Sequence, residues 1–338
     1  MTDDNGGLRW GVVGTGGIAH SFVEGLRATP TARITAVGSR TPERAEEFAD
    51  AWGITERHGN YEDLAKSPEV DAVYVATPHP WHHPNTLTCL NAGKHVLVEK
   101  PMAMNALQVA EMTAAARDND RFLMEAMWTR YLPASRLVRD LVGDGAIGEV
   151  TWISAEFGSN VPYDPDHRIF NADLGGGALL DLGVYPLALA SQYLGELTVV
   201  GATRQLSPDR MVDTHTSVLV RGENGGTGSL TCSSRTTLPN RAVLAGSGGW
   251  LEIPHFWAAT EVVLHRDGRE PEEFHRPFRA NGYEYEAEEV ARRVAAGERE
   301  SPDMPWAESL HLAQLTDRIR DMGGLVYSPA TVKAVPLA

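Results

Sequence analysis

A lysine closes the apolar run Val96-Leu97-Val98-Glu99-Lys100-Pro101, and a glycine-rich turn, Gly14-Thr15-Gly16-Gly17-Ile18-Ala19, follows the chain's first apolar run. In open parallel sheets, ligands gather beyond the carboxyl ends of the strands, so a charged residue there is placed to do chemistry. Pro101 pushes the preceding residue away from helical angles, so Lys100 is expected to finish its strand extended. By type and place alone, Lys100 reads equally as a catalytic group or as a surface lysine at a strand-loop junction. Asp181 and Tyr185 stand four residues apart at the start of an expected helix, which puts both on one face. A phenol with an ordinary pKa of about 10 can give or take a proton, although helical tyrosines more often fill cores or interfaces.

The turn after the first run carries the spacing of a dinucleotide fingerprint. Gly14 permits the tight bend, Gly16 lets the backbone approach a pyrophosphate, and Ala19 lets helix and strand pack closely. Gly17 and Ile18 open the helix, whose free amides favour an anion. At the end of the second strand, a site for NAD usually carries Asp or Glu to bind the ribose hydroxyls. This chain instead has Gly38-Ser39-Arg40-Thr41-Pro42-Glu43-Arg44. Thr41 and Pro42 read as N-cap and first helical residue, and a capping box would then favour Glu at position 44. Arg44 stands where the helix dipole disfavours a cation, a conflict that an external anion resolves. Ser39, Arg40 and Arg44 are therefore expected to bind the 2′-phosphate of NADP; the alternative is a solvated helix start with Arg44 paired to Glu47.

These residues need a scaffold, and the pattern supplies one. Strands are expected at Leu8–Val13, Arg33–Val37, Ala72–Ala76, His95–Val98 and Arg121–Met124, alternating with helices near 17–28, 42–51, 83–91 and 105–118. That is the rhythm of βαβ units and a parallel sheet. Beyond residue 149 strands follow one another without helices between, at 150–157, 216–220, 228–232 and 261–264, with helices near 178–194, 282–297 and 305–321. The expected fold is α/β: an N-terminal doubly wound Rossmann sheet over residues 1–125, then an α+β domain over residues 126–338 built on an open, mostly antiparallel sheet.

A length of 338 residues suits two cores, and 42% hydrophobic with 22% charged residues is ordinary for a water-soluble chain. A formal net charge of -15 argues against nucleic-acid and polybasic membrane contacts. Cys89 and Cys232 are too few for a disulfide framework or a cysteine zinc site. The start, Met1 to Gly7, is polar and acidic, unlike a signal peptide, and no apolar run is expected to span a membrane, so a reducing cytoplasmic setting is expected. His79, His82 and His83 cluster without a carboxylate or cysteine at ligand spacing, so no metal is expected.

The turn at Gly14, Ala76-Thr77-Pro78-His79-Pro80-Trp81-His82, Ala92-Gly93-Lys94-His95 running on to Pro101, and Gly175-Gly176-Gly177-Ala178-Leu179-Leu180-Asp181-Leu182-Gly183-Val184-Tyr185 together resemble the glucose-fructose oxidoreductase/inositol dehydrogenase family. Met124-Glu125-Ala126-Met127-Trp128-Thr129-Arg130-Tyr131, Ala155-Glu156-Phe157-Gly158 and Tyr283-Glu284-Tyr285-Glu286-Ala287 are most similar to its dimeric dihydrodiol dehydrogenase branch, which includes NADP-dependent xylose dehydrogenases. The resemblance implies NADP-dependent hydride transfer on a sugar, polyol or cyclic diol, with Lys100 and Tyr185 as catalytic pair. Many relatives have His at the Tyr185 position, so here the proton donor would be a phenol. Thr77, Pro78, His79, His82 and Glu99 are expected around the nicotinamide end. Trp128, Phe157, Trp257 and Phe278 resemble the branch's aromatic substrate wall, and Arg130 and Arg168 are substrate-side donors unless they serve as ordinary salt-bridge partners. Asp181 orients substrate hydroxyls or Lys100, or caps its helix. A homodimer or homotetramer through the second sheet is also implied. A different class of reading is an NADP-binding sensor that keeps the fold without turnover; the presence of both Lys100 and Tyr185 argues against it.

Overall fold

The computed structural model describes residues 7–30 and 32–322. Residues 1–6 and 323–338, part of the two expected domains and of the acidic start, lie outside the described residues. Six strands, β1 (Leu8–Val13), β2 (Ala32–Gly38), β3 (Glu56–His58), β4 (Ala72–Val75), β5 (His95–Glu99) and β6 (Leu123–Ala126), form a parallel sheet in the order β3-β2-β1-β4-β5-β6. Helices α1 (Gly17–Leu26), α2 (Pro42–Trp52), α3 (Tyr61–Lys66), α4 (His82–Asn91) and α5 (Ala106–Asp118) connect them. Every residue of β4 is buried, as a sheet covered on both faces requires. The strand order reverses between β1 and β4, and ligands settle at such switch points. β3 and α3 go beyond the expected elements: β3 is three polar residues on the sheet edge, where neither alternation nor an apolar run marks it.

The second sheet has eight strands: β7 (Val150–Gly158), β8 (Leu197–Leu206), β9 (Asp213–Gly222), β10 (Thr227–Ser233), β11 (Ala242–Gly246), β12 (Gly249–Ile253), β13 (Glu261–Arg266) and β14 (Glu272–His275). Their order is β14-β13-β12-β11-β7-β10-β9-β8. Only β7 and β10 run parallel; the other pairs are antiparallel, as expected. Helix α6 (Pro133–Gly143) leads into the sheet, and α7 (Val184–Leu194) covers one face. Val218 and Val220 are buried on that side, while Leu219 between them is exposed. Trp152, Ala245, Trp250 and His265 align across neighbouring strands on the open face.

Two C-terminal helices, α8 (Glu284–Ala295) and α9 (Trp306–Asp321), turn back to the first sheet. The Ala106 amide donates to Asp317, Arg320 donates to the Met104 carbonyl, and the Trp306 indole donates to the Leu123 carbonyl. These bonds fasten α9 to α5 and β6. By length and composition alone the stretch Ala172–Leu194 could cross a membrane. It is a core helix of the second sheet, 89% buried over its most apolar window, and it carries Asp181.

Candidate active site

Three loops at the carboxyl ends of β1, β4 and β5 meet a fourth segment from the second sheet around a cleft of about 590 Å³. Gly14 has φ +103°, and a Cβ there would lie 2.8 Å from the Ala76 carbonyl oxygen, so the turn admits glycine alone without strain. A Cβ on Gly16 or Gly17 would meet nothing within 4 Å, which leaves the backbone open to a ligand. Gly16 is the N-cap of α1 and makes no side-chain cap bond, so its first amides face the cleft without a protein carboxylate. This arrangement fits a dinucleotide pyrophosphate.

Ser39, Arg40 and Arg44 line the same cleft, together with Tyr61, which the sequence did not single out. Thr41 is the N-cap of α2, Pro42 occupies its first turn, and Thr41 makes no side-chain cap bond. Thr15 and Ser39 hydroxyls lie 3.4 Å apart, joining the glycine turn to the end of β2. No ion pair joins Arg44 to Glu47 among the described residues, and Arg44 borders the cleft.

Lys100 lies one residue past β5, and its peptide bond to Pro101 is cis. Its ammonium donates to the Asp181 carbonyl at 3.0 Å and to Asp181 Oδ1 at 3.1 Å. Arg168 grips the same carboxylate with two bonds, 3.1 Å to Oδ1 and 3.0 Å to Oδ2. Burial pushes the Asp181 carboxyl up, but Lys100 and Arg168 outweigh it and hold it well below the usual carboxylate range. Asp181 therefore orients Lys100, one of the three roles open to it from sequence. It sits in a π-helical turn, Leu179–Gly183, directly before α7. Tyr185 is in the first turn of α7, which continues the π-helical turn, so Pro186 lies inside a helical run and cannot donate to the Leu182 carbonyl four residues back.

The Lys100 ammonium stands over the Tyr185 ring, 5.0 Å from its centroid, and Trp128 Nε1 donates to the Tyr185 hydroxyl at 3.3 Å. Burial and then the charge of Glu99 push the phenol well above its ordinary value. The Lys100 ammonium meets the ring face and is bonded to Asp181, so the phenol keeps its proton at neutral pH. It can give that proton up only to a stronger base, such as an alkoxide.

Glu99 is buried below, accepting from the Tyr74 hydroxyl and, at 3.2 Å, from the Lys100 amide. His79 and His82 act as clips between loops. His79 Nδ1 lies 2.8 Å from the Gly175 carbonyl, and the His82 ring nitrogens lie 2.9 Å from Pro101 O and 2.7 Å from Thr77 O. Burial lowers their pKa values to about 3 and about 4, so both rings are neutral. Thr77, Pro78, His79 and His82 all border the cleft.

The aromatic residues also converge. Phe157 stacks on Trp257 with centroids 4.9 Å apart and meets Tyr185 edge-on at 5.4 Å. Trp128 approaches Trp257 and Phe278 and stacks on Tyr283 at 4.6 Å. Gly282, at φ +99°, makes room for this: a Cβ would lie 2.6 Å from the Trp128 ring. Arg130 does not serve the substrate side. Its guanidinium is buried against Glu308 and the carbonyls of Asp303 and Ala188, because a desolvated cation needs those partners. Among the described residues there is no cluster of three or more His, Cys, Asp or Glu side chains that could hold a metal ion.

A doubly wound sheet with this turn, opening on a half-buried lysine beside a buried carboxylate and phenol, defines a dinucleotide-binding oxidoreductase. Residues 8–127 match the model of the oxidoreductase family with an NAD-binding Rossmann fold, and residues 135–252 match the GFO/IDH/MocA C-terminal domain. The chain belongs to the GFO/IDH/MocA family and is an NAD(P)-dependent oxidoreductase. It is 39% identical over 335 residues to trans-1,2-dihydrobenzene-1,2-diol dehydrogenase of Mus musculus, covering 95% of this chain and 98% of the relative. Among solved structures it is similar to a 3-ketoreductase from Actinomadura kijaniata in complex with NADP and TDP-benzene, with TM-score 0.83, 33% identity, and 93% and 97% of the two chains covered. It is also similar to an aldose-aldose oxidoreductase from Caulobacter crescentus, with TM-score 0.86, 25% identity, and coverage of 94% and 98%.

Proposed function

We propose that this protein uses NADP to interconvert a secondary alcohol or hemiacetal with its carbonyl form, on a sugar or a cyclic trans-diol. The observation that carries the reading is one continuous cleft, bordered at one end by Ser39, Arg40 and Arg44 and at the other by Lys100, Asp181 and Tyr185. Residues 1–125 supply the cofactor side and residues 126–338 the substrate side. The bound cofactor supplies or accepts the hydride. Tyr185 donates its proton to the developing alkoxide, and regains it from solvent. Lys100, oriented by Asp181, holds the substrate oxygen or the nicotinamide ribose, and the Trp128 indole fixes the Tyr185 oxygen while leaving its proton free. Trp128, Phe157, Trp257 and Phe278 do not border the cofactor cleft; a ring substrate would meet this cluster beyond Tyr185 through Trp257 and Phe278, its partly exposed members, while Arg168 stands at the mouth. The dehydrogenase and ketoreductase relatives favour turnover over the sensor reading.

The buried free thiols of Cys89 and Cys232 fit a reducing cytoplasm. The open face of the second sheet, with Trp152 and Leu219 exposed, fits pairing with a second copy as a homodimer or homotetramer. Titration with both cofactors tests the assignment, followed by turnover assays with trans-1,2-dihydrobenzene-1,2-diol, aldoses and keto-sugars. NADP should bind more tightly than NAD, and Arg40→Ala should weaken NADP by about 1.5–3 kcal/mol without changing NAD. Equal or tighter binding of NAD by the parent protein would defeat the assignment.

A further inference from the structure

Glu286 has no place in the chemistry above, yet it is 0% exposed and neither carboxyl oxygen has a hydrogen-bond partner among the described residues. It lies in the first turn of α8, three residues after Tyr283, whose ring stacks on Trp128. Helix α8 packs against α1 and the Trp128–Tyr131 turn. Tyr283 thus ties the start of α8 to Trp128, which donates to the Tyr185 hydroxyl, and a charge on Glu286 would bear on Tyr74, Tyr185 and Tyr283.

Glu99 and Glu286 are both buried and both bear on Tyr185, so the second of them to ionise does so at a cost. Burial pushes the Glu99 carboxyl up as well, but Glu99 holds the better claim to a charge, because the Lys100 ammonium opposes that shift and the Tyr74 hydroxyl and Lys100 amide donate to it. Glu286 has no such help. The cations of neighbouring elements are committed elsewhere: Lys100 to Asp181, Arg130 to Glu308, Arg293 to Glu289. Glu284, beside it on α8, accepts from the Ala280 and Gly282 amides, and Glu24 on α1 accepts from Asn281. The α8 dipole favours an anion in the first turn, but that gain is small beside the penalty for an unpaired buried charge. Burial and then the Glu99 charge accordingly push the Glu286 carboxyl well above the usual range.

We infer that Glu286 is a positioning residue for the proton transfer. It keeps its proton while the enzyme turns over, adds no charge to those of Glu99 and Asp181 that already bear on Tyr185, and closes turnover at alkaline pH when it loses that proton to solvent. The link to turnover rests on the proposed role of Tyr185; the protonation state does not. A charge on Glu286 would oppose any negative charge on the Tyr185 oxygen and so obstruct the oxidative direction.

Infrared spectroscopy of the full chain labelled with ¹³C-glutamate reads the protonation state without substrate. At about pH 9, above the value of about 7 to which burial raises Glu125, the carbonyl-stretch band of a protonated glutamic acid should persist. It should be absent from Glu286→Gln and from Glu286→Leu. The leucine variant guards against misfolding, since an apolar residue replaces an unpartnered polar one at little cost. Absence of the band from the parent, or its survival in both variants, would overturn the inference. With trans-1,2-dihydrobenzene-1,2-diol and NADP, the pH at which kcat/KM falls should match the pH at which the band is lost, and Glu286→Gln should abolish that fall. An unchanged alkaline fall in a folded Glu286→Gln protein would remove Glu286 from proton transfer. Failure of the parent to turn over this diol would count against the proposed substrate class and leave the infrared result to decide the protonation state.

Discussion

Tyr185 on α7 and Lys100 past the end of β5 reach one point, and their contact suggests that they act as a unit. Tyr185→Phe removes one oxygen and little volume, so folding and NADP affinity should survive while turnover falls by about 10²–10⁴-fold. Lys100→Met should be at least as damaging, and the double variant should lose far less than the product of the single losses. Near-parental turnover in a folded, NADP-binding Tyr185→Phe protein would mean that the proton comes from another donor. His79 carries a second prediction. Folded, it stays neutral down to about pH 3; unfolded, it protonates near about pH 6.5. Between those values the unfolded chain binds the extra proton, so the His79 contribution to stability is lost as pH falls from about 6.5. The stability difference between parent and His79→Gln should therefore shrink on acidification, by up to about 1.4 kcal/mol per pH unit. Urea unfolding of both proteins from neutral to mildly acidic pH measures it, and parallel curves would refute it. Sequence made Lys100, Asp181 and Tyr185 visible through strand ends and helical spacing, but it could not show that Asp181 is consumed by Lys100 and Arg168. Arg168 precedes Asp181 by an irregular loop with no period to read, and Tyr283 and Glu286 gain meaning only when α8 folds back.

At the level of elements, the turn after β1 couples the cofactor to the sheet. Gly14→Ala forces a side chain at φ +103° toward the Ala76 carbonyl, a strain of about 1–3 kcal/mol. The turn can relieve it only by opening, so NADP should bind at least about tenfold more weakly, as cofactor titration and thermal unfolding would register. Unchanged affinity would show that the pyrophosphate does not rest on this turn. The same physics explains which elements could be read. β1, β2, β4 and β5 are buried parallel strands, written as short apolar runs between glycine and polar stops. The hairpin of β11 and β12 was less legible, because Gly246-Ser247-Gly248-Gly249 interrupts it and both strands have one wet face. Helix α3 is six residues long, too short for an amphipathic period to emerge.

Across the whole molecule, the open face of the second sheet is the largest unresolved demand on the surface. Trp152, Leu219 and Val200 are exposed on its strands, by 42%, 55% and 56%, more than such residues need to be. The parent should sediment as a dimer or tetramer, and Trp152→Glu with Leu219→Glu should yield monomers. A net charge of -15 makes two copies repel, so added salt should tighten the assembly. A parent that is monomeric at micromolar concentration, with or without salt, would end this reading. Sequence indicated a two-sheet architecture because the rhythm of strands and helices changes near residue 149, yet it gave no sign that α9 returns to α5. That return has a consequence for synthesis. Helix α5 is made about 190 residues before α9, so at usual elongation rates it waits roughly 10–40 s for the partner that takes its Ala106 amide and covers its flank. During that interval the nascent cofactor domain exposes apolar surface on the ribosome, and a chain stopped before Trp306 would leave that surface exposed permanently.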